Sequence, residues 1–169
     1  MSKRASGKFE KIDKDKYMTW DVRPSIALTN YINRRGLTYY EPCVGNGDMI
    51  RNLKQFRCVG FSDEELDART TQYDSGAELF ITNPPWTRSL LHPIIENLRV
   101  QKPTWLLFDA DWMHTQQAVP HLEYCSTIIS VGRLKWIPDT KMDGYDNCAW
   151  YLFVENKSEC RFISRKGAE

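Results

Sequence analysis

Glu78-Leu79-Phe80-Ile81-Thr82-Asn83-Pro84-Pro85-Trp86 is the stretch on which the fold turns. The apolar run over Glu78–Thr82 reads as a short buried strand. Two consecutive prolines lack the N–H that a sheet ladder needs, so the strand ends there. In open α/β sheets, ligands sit at the carboxyl ends of the strands. Asn83, Pro84, Pro85 and Trp86 are therefore delivered to a ligand edge. Asn83 offers an amide oxygen, Pro84 keeps its backbone carbonyl acceptor, and Trp86 presents a flat ring.

Working outward from this strand, the chain alternates strands and helices. Upstream, a helix opening at Asp21 or Arg23-Pro24-Ser25 has Ile26, Leu28, Tyr31 and Ile32 on its apolar face. Pro24 falls near its first turn, and Arg34-Arg35-Gly36 closes it. Leu37–Tyr40 is the first strand, followed by a turn with two glycines and a helix through Met49, Ile50, Leu53 and Phe56. Cys58–Phe61 is the second strand, and a third is expected near Thr70–Tyr73. Downstream of the prolines, Leu90, Leu91, Ile94, Ile95 and Leu98 recur at helical spacing over Ser89–Leu98. Thr104–Phe108 is a continuous apolar run, hence a strand covered on both faces. Asp109-Ala110-Asp111-Trp112 follows, its acids read as a cap for the next segment. A short helix over Thr115–Leu122 and strands Ser126–Val131 and Ala149–Val154 complete the count. The alternation predicts a mostly parallel, doubly covered α/β sheet.

At 169 residues the chain suits one ordinary α/β core. An apolar fraction of 41% argues for a folded protein. Residues 1–16 are Lys-rich and without periodicity, which predicts a flexible basic lead before a single domain over 17–169. Five cysteines without C-x-x-C spacing suggest neither a disulfide framework nor a zinc site. His92, His114 and His121 are scattered, so no metal is expected. No apolar run reaches membrane-spanning length and no signal-peptide pattern is present, which makes an intracellular, reducing setting the simplest reading. Net charge is +1, so overall balance does not announce a nucleic-acid binder.

Two motifs now stand at two strand ends. Glu41-Pro42-Cys43-Val44-Gly45-Asn46-Gly47 places an acid before a turn whose glycines permit positive φ and close backbone approach. An acid there disfavours the pyrophosphate that a dinucleotide site would hold, and suits an ammonium group through a charge-assisted hydrogen bond. This loop resembles the cofactor loop of class I S-adenosylmethionine-dependent methyltransferases. Asn83-Pro84-Pro85-Trp86 resembles the (Asp/Asn/Ser)-Pro-Pro-(Tyr/Phe/Trp) motif of the amino-methyltransferases, chiefly DNA adenine-N6 enzymes. The resemblance covers residue 17 to about 154 and is closest to small single-domain adenine methyltransferases of phages and mobile elements.

The resemblance implies a Rossmann-like class I methyltransferase fold, with a mostly parallel seven-stranded sheet and helices on both faces. It implies S-adenosylmethionine as cofactor, held by Glu41, Pro42, Gly45 and Gly47. The family's ribose-binding acid falls near Ser62, where this chain has no carboxylate, and Asp63 is the nearest substitute. Asp74 matches a place where the family often contacts the cofactor adenine. The segment from Trp20 to Pro24 resembles the one that closes over the methionine end, although Trp20 reads equally as a core residue. Asn83 and Pro84 are expected to accept from the target amine, and Trp86 to stack on the base. The implied setting is the cytoplasm of a bacterium or a phage-infected host.

The expected partner is nucleic acid, DNA first. Arg133, Lys135 and Trp136, with the polar loop Pro138–Asn147, interleave cations and aromatics as a nucleic-acid contact does. An RNA adenine, a protein glutamine amide, or a non-catalytic cofactor-binding protein of the same fold remain alternative readings. Target sequence and oligomeric state stay open at this level.

Overall fold

The computed structural model describes residues 18–156 and 159–165, so the expected lead over residues 1–16 lies outside the described residues. The helices are α1 (Arg23–Ile32), α2 (Asp48–Asn52), α3 (Arg88–Arg99) and α4 (Val119–Leu122). The strands are β1 (Thr38–Glu41), β2 (Arg57–Phe61), β3 (Leu79–Thr82), β4 (Thr104–Asp109), β5 (Cys125–Arg133), β6 (Asn147–Phe153) and β7 (Arg161–Ile163). Among the described residues, these strands form one seven-stranded sheet in the order β2-β1-β3-β4-β6-β5-β7. β1 pairs in parallel with β2 and β3, β3 with β4, and β5 with β7, while β6 runs antiparallel between β4 and β5. The chain steps from β1 outward to β2, then returns to the other side of β1 to start β3. The sheet's switch point, where a crevice opens at the strand ends, therefore lies between β1 and β3.

Burial explains the periodicities. All four residues of β3 are buried, because both faces are covered. On one face, Leu91, Ile94, Ile95 and Leu98 of α3 pack on Phe80, Phe108, Tyr151 and Phe153. On the other, Leu28 of α1 with Met49 and Leu53 cover Tyr39, Ile81, Trp105 and Trp150. The Trp150 indole donates to Pro24 O at 2.8 Å, which pins the start of α1 to the middle of the sheet. Helix α1 ends earlier than expected, because Asn33 takes the left-handed cap with φ 46° and its N–H bonds Thr29 O. Asp109 accepts from the Asp111 N–H at 2.9 Å and caps a 3-10 turn over Ala110–His114, as its position suggested. The expected helix over Thr115–Leu122 splits into a 3-10 turn, Gln116–Ala118, and α4.

The strand expected near Thr70–Tyr73 does not form, and β7, which the sequence pattern did not suggest, supplies the seventh strand at the opposite edge. The cause is visible in the backbone bonding of residues 67–77. Asp67 O closes turns to the Thr70 and Thr71 N–H groups. Asn97 Nδ2 donates to Ala68 O and Thr71 O, and Gln101 Oε1 accepts from Tyr73 N. Side chains of Asn97 in α3 and of Gln101 just past its end thus satisfy the polar backbone that a neighbouring strand would otherwise have paired. Ala68 and Tyr73 still reach the core, and β2 becomes the sheet edge.

Candidate active site

Glu41 is the last residue of β1 and Asn83 follows β3 directly, so the switch point brings the two motifs to one crevice. They line a cavity of about 330 Å³ together with Pro42, Gly45, Asp63 and Pro85. The Thr82 hydroxyl donates to Cys43 O at 3.4 Å and ties the two loops together. Gly45 has φ +54°, and a Cβ there would lie 2.6 Å from Met18 Sδ. A side chain would therefore be strained in its backbone and would push the Met18 thioether aside.

Glu41 is 1% exposed, and its Oε2 has no hydrogen-bond partner among the described residues. Burial pushes its carboxyl well above the ordinary range; the Thr82 hydroxyl offsets part of this and the Asp63 charge adds to it. Burial also pushes the neighbouring Cys43 thiol up to about 12, so no thiolate nucleophile is on offer. A buried acid with an orphaned oxygen, facing a cavity, suits a ligand that brings a cationic donor. The remaining walls are acidic as well, with Asp48, Glu64 and Asp67, and Arg69 is held by Asp67 at 2.8 Å.

The Asn83 amide is held at both ends. Its Nδ2 donates to Thr19 Oγ1 at 2.9 Å and its Oδ1 accepts from Trp86 Nε1 at 3.0 Å. Trp86 meets Trp136 edge-on, with ring centroids 5.4 Å apart and an interplanar angle of 87°. Trp136 belongs to the loop between β5 and β6. That loop is fastened by the Gly144 N–H to Leu134 O at 2.7 Å and by Arg23 to Asp143 at 2.9 Å. Asp21, 7% exposed, takes the other side of Arg23 and the Lys135 N–H. Its carboxyl lies below the ordinary range, because these bonds to Arg23 and Lys135 outweigh the opposing effect of burial.

No family model and no curated protein sequence matches the chain. Solved structures do. The methyltransferase subunit of a type I restriction-modification system from Streptococcus thermophilus superposes with TM-score 0.54 at 11% identity, over 93% of this chain and 50% of that one. A candidate class I S-adenosylmethionine-dependent methyltransferase from Listeria monocytogenes gives 0.57 at 6% identity, over 94% and 68%. A candidate RNA methyltransferase from Pyrococcus horikoshii gives 0.52 at 12% identity, over 88% and 92%. The chain has the class I methyltransferase fold. At these identities the likeness is one of fold alone, and the chain spans half the length of the Streptococcus subunit.

Within this class I methyltransferase fold, the expected site residues divide. Glu41, Pro42, Gly45, Asp63, Asn83 and Pro85 line the cavity. Asp63 does so in place of Ser62, which is buried behind it with its hydroxyl donating to Pro42 O. Gly47, with φ +80°, caps the start of α2, and Pro84 is buried; both lie outside the cavity lining. Trp86 borders the site through its bond to Asn83. Asp74 is exposed and lies outside the cavity lining, and so does Trp20, whose carbonyl accepts from Asn52 Nδ2 at 3.2 Å. Met18 and Thr19 line the cavity instead, as do Asp67, Ala68 and Arg69. None of these carries a motif. The signal available was the proximity of Met18 and Thr19 to Trp20, where the segment that the family resemblance sets over the methionine end begins.

Proposed function

We propose that this protein transfers a methyl group from S-adenosylmethionine to the exocyclic N6 amine of adenine in DNA. The observation that carries the reading is that Asn83 and Glu41, whose Oε2 has no partner among the described residues, line the same cavity. The cofactor is a cation with an ammonium group and, when bound, supplies an electrophilic methyl on sulfonium. Glu41 would hold the ammonium, Asp63 would accept from the ribose hydroxyls, and Gly45, with its positive φ, would shape the turn beneath the cofactor. The acidic walls disfavour a phosphate-bearing cofactor at the same place.

An exocyclic adenine nitrogen is a poor nucleophile, because its lone pair is delocalised into the ring. Acceptors aimed at its N–H groups favour a pyramidal nitrogen and stabilise the positive charge that develops on it. Asn83 Oδ1 and the Pro84 carbonyl have that chemistry. The amine shares Asn83 Oδ1 with the Trp86 indole or displaces it. Stacking on Trp86 or the adjoining Trp136 is worth roughly 1–3 kcal/mol per base, which offsets part of the few kcal/mol needed to extrude a base from duplex. Arg133, at the end of β5, and Lys141, in the β5–β6 loop that carries Trp136, are both exposed, and Tyr145 of the same loop is 82% exposed. That combination supports a nucleic-acid partner over a protein amide.

The test is labelled S-adenosylmethionine offered with duplex DNA, single-stranded DNA, RNA and protein, followed by digestion and nucleoside analysis. Label in N6-methyladenine from DNA is the expected outcome. Label confined to RNA or to glutamine would replace the substrate, and bound cofactor with no transfer to any acceptor would replace the activity. Asn83→Ala should lower transfer by roughly a hundredfold or more, as loss of a transition-state acceptor does. Its cofactor dissociation constant, read by calorimetry, should change little.

A further inference from the structure

The contacts of Asn83 with Trp86 and Thr19 fix the orientation of its amide. An indole nitrogen only donates, so the atom meeting Trp86 Nε1 at 3.0 Å must be the amide oxygen. The amide nitrogen then faces Thr19 Oγ1 at 2.9 Å, and a threonine hydroxyl can accept. Turned over, the amide would set its NH₂ group against the indole N–H. It would also present donors where the reacting amine needs an acceptor. Thr19 is 6% exposed and lies 64 residues upstream of Asn83, outside both motifs. It follows Met18, whose sulfur rests over Gly45 in the cofactor loop.

We propose that Thr19 is a positioning residue that holds the Asn83 amide with its oxygen on the acceptor side. The proposal rests on the reading of Asn83 as the acceptor for the reacting amine. Trp86 supplies the other half of the hold, and here the fourth motif position matters. A tryptophan brings an N–H that a phenylalanine does not, and this N–H alone cannot stop the amide from swinging away; Thr19 closes the second end. The segment that covers the cofactor cavity thereby also sets the acceptor group.

Thr19→Val keeps the side-chain volume and removes the hydroxyl. Methyl transfer to a duplex DNA substrate should then show kcat lower by roughly tenfold or more, with KM for S-adenosylmethionine within about twofold of wild type. Thr19→Ser keeps the hydroxyl and should restore kcat to within about threefold. An unchanged kcat in Thr19→Val overturns the proposal. So does a loss confined to cofactor KM, which would make Thr19 a cofactor contact.

A measurement on the wild-type protein needs neither a folded variant nor a known acceptor. In nitrogen-edited NMR spectra, the Asn83 side-chain NH₂ should show a nuclear Overhauser contact to the Thr19 methyl, with the Trp86 indole proton shifted by its bond to the amide oxygen. Absence of the Thr19 contact would overturn the proposal. If the wild-type protein methylated no adenine, the functional reading would fall, and the NMR contact would still decide whether Thr19 holds the amide.

Discussion

Glu41 places its carboxyl in the interior with one oxygen unmet among the described residues, and that has a consequence for stability as well as binding. Because its pKa is raised on folding, the folded protein binds the proton more tightly than the unfolded chain does. Stability from this group is fully present below the ordinary value of ~4.3 and is lost as pH rises from there toward the folded value. In that window the loss runs at ~1.4 kcal/mol per pH unit. Glu41→Gln should therefore have a higher melting temperature than wild type at pH 7, with the gap shrinking toward pH 4.5. Scanning calorimetry of the unliganded proteins at several pH values measures it. The same variant should bind S-adenosylmethionine at least about tenfold more weakly, because a neutral amide forfeits the charge-assisted bond. A parallel pH response in both proteins would remove Glu41 as its source. Residues of this kind were legible in the sequence because glycines, prolines and an acid at strand ends carry their chemistry locally. Thr19 was not, since its role depends on a contact with Asn83 that only the folded chain creates.

The elements divide along the same line. Strands with unbroken apolar runs, such as Thr104–Phe108, and the helix with apolar residues at i, i+3 and i+4 in α3 were readable, because their burial is written into their period. Residues 67–77 were not. Their backbone is satisfied by Asn97 in α3 and Gln101 just beyond its end, two ordinary-looking polar residues. β7 was missed for the opposite reason. With Arg161 and Phe162 exposed, its short run lacks the apolar density that marks a buried strand. Asn97→Ala tests the account of the missing strand. It strips donors from Ala68 O and Thr71 O, which should cost about 1–3 kcal/mol. Chemical denaturation should show the loss as a lower midpoint with an unchanged slope. A neutral result would mean that water replaces the amide and that another feature prevents the strand.

For the whole molecule, a net charge of +1 conceals a separation of charge across the site. Glu41, Asp63, Glu64 and Asp67 line the cavity, where Arg69 is taken by Asp67. At the end of β5 and in the β5–β6 loop, Arg133 and Lys141 are exposed, and Arg165 lies against Gly132. Asp143 in that loop is occupied by Arg23. Asp139 and Asp146 remain there as opposing charges, so the positive field is local and modest. On the proposed reading, the acidic cavity takes the cationic cofactor and the exposed cations of the β5–β6 loop take the polyanion. If these cations meet phosphates, the pair Arg133→Ala and Lys141→Ala should weaken duplex DNA binding. Because each phosphate contact contributes about 0.9 to the slope of log affinity against log salt, the double variant's slope should flatten by about 1.8. Fluorescence anisotropy of a labelled duplex between ~50 and ~200 mM salt reads this slope, a range in which such contacts change affinity strongly. Affinity for S-adenosylmethionine should hold, because both side chains lie outside the cavity lining. An unchanged salt slope would move the DNA-binding surface away from the β5–β6 loop, and a lost cofactor affinity would break the division of the site into two electrostatic halves.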